Sequence, residues 1–145
     1  MNLEKVKEFL YEENKKKITQ YLNAYQDDSE LYVYVYNYNW DDGLEIPQVI
    51  LDNENCSLST SLLIFHLADG MRKFDDDFEK VKSKVWKKFV NKLCKSIIEG
   101  KYKKNNTGFT VPMSKVEIYK VKKALNEKEL VFVTNIDGED YNITL

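Results

Sequence analysis

The chain has 145 residues, 43% of them apolar, and a formal net charge of −2, which fits one globular domain and excludes a strongly charged disordered chain. No run approaches the roughly 18 consecutive apolar residues of a membrane span, and Glu4, Lys5 and Lys7 among the first residues speak for a helix and not a signal peptide, so the predicted location is cytoplasmic with no membrane partner. A pI near 5.5 argues against nucleic acid; with one histidine and no CxxC motif, Cys56 and Cys94 predict two free thiols and no metal or cofactor.

Leu3, Val6, Leu10, Ile18, Tyr21 and Leu22 recur at helical spacing behind Asn2, a capping residue. They predict a first helix from about Leu3 to Ala24, broken by Gln26 to Ser29. Over Leu31 to Tyr38 the principles conflict. Alternating Val and Tyr favour a strand, and the residues alone lean that way, whereas a helix behind Asp28 or Ser29 would gather Leu31, Tyr34, Val35 and Tyr38 on one face. Asn39 to Gly43 has turn chemistry, with Asn and Asp bonding their own backbone and Gly accepting positive φ. Pro47 suits the first turn of the next helix, which carries Val49, Ile50 and Leu51 and stops at Asp52-Asn53. Ser57 or Ser59 starts another helix through Leu62, Leu63, Phe65, His66 and Leu67, with Gly70 as its left-handed cap.

Asp75, Asp76 and Asp77 suit the positive end of a helix, predicted to run to about Ile98 with Phe78, Val81, Val85, Phe89, Leu93 and Ile97 as its apolar stripe and Gly100 as its stop. Lys80, Lys84, Lys87, Lys88 and Lys95 lie largely off that stripe. Lys101 to Gly108 reads as a mobile polar loop, and Ser114 caps a last helix. Leu130 to Thr134 and Tyr141 to Thr144 flank Asp137-Gly138, a hairpin pattern. The predicted fold is an all-α or nearly all-α bundle of long and short helices in a single domain, residues 1–145, with a small C-terminal β-hairpin as an option.

The charges are segregated. Gln26 to Gly70 holds nine acids and no Lys or Arg, while Met71 to Lys104 holds twelve bases against five acids. Either the two segments neutralise one another inside the domain, or an acidic face remains free.

Asn37-Tyr38-Asn39-Trp40-Asp41-Asp42-Gly43, Pro47, Cys56, Leu62-Leu63-Ile64-Phe65 and Ala68-Asp69-Gly70 together resemble the signature of a bacterial family, domain of unknown function forty-two seventy-four, over about residues 30–73. The resemblance implies an α-helical module, seen in toxin–immunity and secretion-linked neighbourhoods, with no established catalytic residue. It favours the helix over Leu31 to Tyr38. The sequence departs from the pattern at Ser57 and Ser61.

Asp41, Asp42 and Glu45 are the tightest acid cluster. Paired carboxylates can serve acid–base chemistry or a hard metal ion; they can equally cap the Pro47 helix. His66, alone in an apolar run, reads as a core or boundary histidine before it reads as a general base. Tyr32, Tyr34, Tyr36, Tyr38 and Trp40 are too many aromatics for one helical face to bury, and those left outside beside acids would make binding anchors. The leading expectation is therefore a non-enzymatic protein-binding module, within that an immunity-type inhibitor of a cognate basic toxin, contacting its partner through Trp40, Asp41, Asp42, Glu45, Tyr36 and Tyr38. A structural or regulatory adaptor is the alternative, and an enzyme using Asp41, Asp42, Glu45 and His66 the third reading.

Overall fold

A computed structural model describes residues 1–145, and seven α-helices with four 3-10 turns make up its regular structure. The first two helices are α1 (Leu3–Leu10) and α2 (Lys15–Ala24), so the single helix expected over Leu3 to Ala24 is two. Between Leu10 and Ile18 the chain offers no aliphatic residue for two turns, and Asn14 takes the Lys17 N–H with its side chain at 3.2 Å. A capping bond at that point ends one helix and starts the next. The break lets α1 pack on α3 and α2 on α4.

Helix α3 (Asp28–Asn37) settles the Val/Tyr conflict in favour of helix. Its cap is Asp27, one residue ahead of the expected pair: the carboxylate accepts the Ser29 N–H at 3.0 Å. Leu31 to Val35 are no more than 2% exposed, on every side of the helix. α3 runs between α1 and α5, so β-branched and aromatic side chains find apolar neighbours all round. A buried segment with no strand to pair with must bond its backbone internally, and a helix does so.

Helix α4 (Glu45–Asp52) follows the 3-10 turn Trp40–Asp42, and Gly43 takes φ +96° as the turn required. Helix α5 (Leu58–Leu67) is capped by Ser57, whose Oγ accepts the Thr60 N–H at 3.1 Å. It is also buried nearly all round, and packs on α3 and α6. The left-handed residue after it is Asp69 at φ +61°, not Gly70. Gly70 is needed for space: a Cβ there would lie 2.5 Å from the Phe65 carbonyl oxygen.

Helix α6 (Lys84–Ile98) begins nine residues later than Asp75 because Ser83 accepts the Trp86 N–H. Residues 75–83 instead pass through a 3-10 turn at Phe78–Lys80. The apolar stripe therefore starts at Phe89, and Val85 is 73% exposed. At the far end Gly100, φ +79°, closes a Schellman motif, with its N–H on Ile97 O and the Lys101 N–H on Ser96 O. Within Lys101 to Gly108, Tyr102, Thr107 and Gly108 are buried and the other five residues are exposed. Helix α7 (Lys115–Lys122) starts in a Ser114–Glu117 capping box.

The hairpin does not form. Leu130–Val133 lies in a 3-10 turn that stacks Phe132 on Phe65, ring centroids 4.4 Å apart. Asp137-Gly138 packs instead on Asn106 to Phe109, where Phe109 and Ile136 exchange backbone bonds of 2.8–2.9 Å. Gly138 is required at that crossing, since a Cβ would meet Asn106 O and Gly108 N at 2.6 Å. The last residues run back along α3: Asn37 donates to Ile143 O at 2.7 Å and accepts the Leu145 N–H at 2.8 Å.

An acidic, tyrosine-walled groove as candidate functional site

The turn between α1 and α2, the C-terminal half of α3, the Trp40 turn and α4 enclose a groove of about 580 Å³. Leu10, Ile18, Ile46 and the buried Tyr34 supply its floor, and Tyr11 and Tyr38 its more exposed aromatic lining. Tyr34 and Tyr38 follow at i and i+4 on α3, and their rings lie 6.2 Å apart. Tyr38 donates to Gly43 O at 2.7 Å, and burial pushes its hydroxyl up to about 12, so it remains a donor at any physiological pH.

Glu12, Glu13 and Asp42 line the same groove, with Lys15 as the one base among its residues. Glu45 stands at the edge and pairs with Lys15 at 3.4 Å. That pair is exposed on both sides and adds little stability, and Lys15 cancels the charge of Glu45 alone, leaving those of Glu12, Glu13 and Asp42. No ion pair joins the acidic stretch to the bases of Met71 to Lys104; those bases pair only within their own segment, Arg72 with Asp77 and Lys95 with Glu99. The groove carboxylates of Glu12, Glu13 and Asp42 have no ion-pair partner within the chain.

The structure places the six expected contact residues unevenly. Asp41, Asp42 and Glu45 are exposed, and Tyr36 is 38% exposed. Tyr38 and Trp40 are half-buried and meet edge to face at 5.2 Å. Capping by Asp41 or Asp42 does not occur: α4 has no side-chain cap, and Asn39 accepts the Asp41 N–H instead. The Asn39 amide makes the Asx turn at this point, which leaves both carboxylates to solvent. His66 is not among the groove residues. Its Nε2 donates to Phe132 O at 2.7 Å, and burial pushes its pKa below the usual histidine value. Glu12, Glu13 and Tyr11 were missed because they fell inside the helix predicted over Leu3 to Ala24. The signal for them was the long polar interval between Leu10 and Ile18.

A second concentration of polar groups surrounds Asp28, only 6% exposed. One carboxylate oxygen accepts Ser57 N–H (2.8 Å) and Thr60 Oγ1 (2.9 Å); the other accepts Thr107 Oγ1 (2.8 Å) and Asn105 Nδ2 (3.1 Å). Four donors satisfy the carboxylate and tie the starts of α3 and α5 to the segment after α6, a structural role.

The family described as Domain of unknown function (DUF4274) matches residues 26–98, just over half of the chain. The chain belongs to that family. No curated protein and no solved structure matches it. The DUF4274 segment extends beyond the signature at residues 30–73 and takes in α3 to α6, the two largely buried helices α3 and α5 included. Its description names no activity. The groove is composite: Tyr34, Tyr38, Asp42 and Ile46 lie inside the DUF4274 segment, whereas Glu12, Glu13 and Lys15 precede it. No helix of the protein is long and apolar enough to cross a membrane.

Proposed function

We propose that the protein is a binding module for another protein, and that it receives a basic segment of that partner at the groove and its acidic rim. The observation that carries this reading is the gathering of Glu12, Glu13, Asp42 and Glu45 around tyrosine rings, with Lys15 as the only base lining the groove. Exposed carboxylates steer a cationic partner during approach, and rigid aromatic rings give contact area at low entropic cost. Together with the toxin–immunity setting implied by the family resemblance, this points to an immunity-type inhibitor that covers the basic site of a cognate toxin. A catalytic role for the acids has less support, since His66, the partner expected for them, is not among the groove residues and bonds Phe132 O instead.

The test is capture of the partner from a native lysate on the full chain, followed by binding kinetics at several salt concentrations. A basic partner whose association slows as salt rises is the supporting outcome. A partner that binds with the Asp41→Asn/Asp42→Asn/Glu45→Gln variant at an unchanged rate removes the acidic face from the interface.

A further inference from the structure

The outer face of α6 is the counterpart of the groove. Lys84, Val85, Lys88 and Lys92 are exposed and share one side of the helix. Val85 is a bare apolar knob between Lys84 and Lys88, which stand one turn apart. Neither of those lysines has an ion-pair partner in the chain. The groove is the reverse in shape and charge: concave, partly apolar, and lined by the carboxylates of Glu12 and Glu13 from the turn between α1 and α2 and of Asp42 from the Trp40 turn.

We infer that the free protein associates head to tail with a second copy of itself, Val85 of one copy seated in the groove of the next, with Lys84 and Lys88 against Glu12, Glu13 and Asp42. The groove, about 580 Å³, has room for Val85 and the aliphatic stems of the flanking lysines. The two faces lie on different parts of the chain and do not neutralise one another within it, so each copy keeps both. An interface between unlike patches does not close on itself as a two-fold dimer does; it leaves a free groove at one end and a free α6 at the other, and further copies add. A cognate partner that takes the groove would compete with the second copy. The inference uses the same groove as the proposed function but does not rest on it.

The test is sedimentation velocity on the full chain from about 10 μM to about 1 mM, at about 0.05 M and about 0.5 M salt. The expected result at low salt is a mean mass that rises with concentration past that of a dimer, and at high salt at least about a tenfold weaker association. Val85→Asp should abolish association, as should Lys84→Glu with Lys88→Glu, or Glu12→Lys with Glu13→Lys. These side chains lie at the surface or partly so, and far-ultraviolet circular dichroism verifies that each variant is folded. A folded groove variant mixed with a folded Val85→Asp variant should form a dimer that stops growing, because each retains one working face. A chain that is monomeric throughout, association that survives Val85→Asp, or a mixture that does not pair would each overturn the inference. Capture of a foreign partner by Val85→Asp protein would leave the proposed function standing in any of those cases.

Discussion

Asp28 shows how much one side chain can carry. Removing its carboxylate in Asp28→Ala leaves the buried Ser57 N–H, Thr60 Oγ1 and Thr107 Oγ1, and the exposed Asn105 Nδ2, without their acceptor. Each unpaired buried donor costs about 1–3 kcal/mol, although hydroxyls can turn away, so the variant should lose about 3 kcal/mol or more. A urea midpoint within the error of the wild type would refute this. His66 has a pH signature. Burial lowers its folded pKa below the unfolded value of about 6.5. Between those two values the unfolded chain binds the extra proton, so the contribution is complete above about pH 6.5 and is lost as pH falls through the folded value. Because Nε2 donates to Phe132 O, glutamine can offer the same bond without titrating. The stability gap between wild type and His66→Gln should therefore shift against the wild type from pH 7.5 to pH 5.5, by denaturant unfolding at each pH. A gap independent of pH would remove His66 as the titrating group.

At the scale of elements, capping bonds decided where helices begin. Asn14, Asp27, Ser57, Ser83 and Ser114 each take a backbone N–H at the start of a helix. Two of these, Asn14 and Ser83, moved boundaries away from those expected from apolar spacing. Periodicity reports which face is buried; it does not report a break when the polar side of the helix continues through it. Asn37 does the converse, ending α3 and binding another segment. Its amide spans Ile143 O and the Leu145 N–H as a neighbouring strand would. Asn37→Ala should release residues 143–145 and cost about 1–2 kcal/mol. Hydrogen exchange at the Leu145 amide should accelerate, and retention of its protection would show that packing alone keeps the segment in place.

At the scale of the molecule, the charge segregation persists in three dimensions. The acidic stretch folds into α3 to α5 and the basic one covers α6, with no ion pair between them. Exposed charges act mainly on encounter, over roughly 8–10 Å at physiological ionic strength. Neutralising Asp41, Asp42 and Glu45 should thus lower the association rate of the captured partner by about tenfold at low salt and change its dissociation rate less. Trp40 packs edge to face on Tyr38, and truncation to alanine removes contact area next to the groove. Trp40→Ala should act mainly on dissociation, by about 2 kcal/mol. Surface plasmon resonance separates the two rates, and an acid variant that changes only dissociation would refute steering.

The residues of the Val/Tyr run alone lean to strand, and only the family resemblance carried by the Asn37 to Gly43 signature favours helix there; the sequence by itself determined the Gly43 turn, the Pro47 helix, the Ser57 and Ser114 starts and the Gly100 stop. These depend on residues within a few positions of one another, where backbone geometry and side-chain chemistry act locally. Tyr38 and Asp42 were also legible, as turn-flanking aromatic and acid. The tertiary structure decided the rest. It turned Asp137-Gly138 away from a hairpin, because Gly138 lets Asn106 and Gly108 approach and Phe132 is buried on Phe65. It brought Glu12 and Glu13 to Asp42 across some thirty residues of chain, by packing α2 on α4 and α1 on α3. Contacts between distant segments depend on which apolar faces meet, and spacing along a single chain carries no record of that pairing.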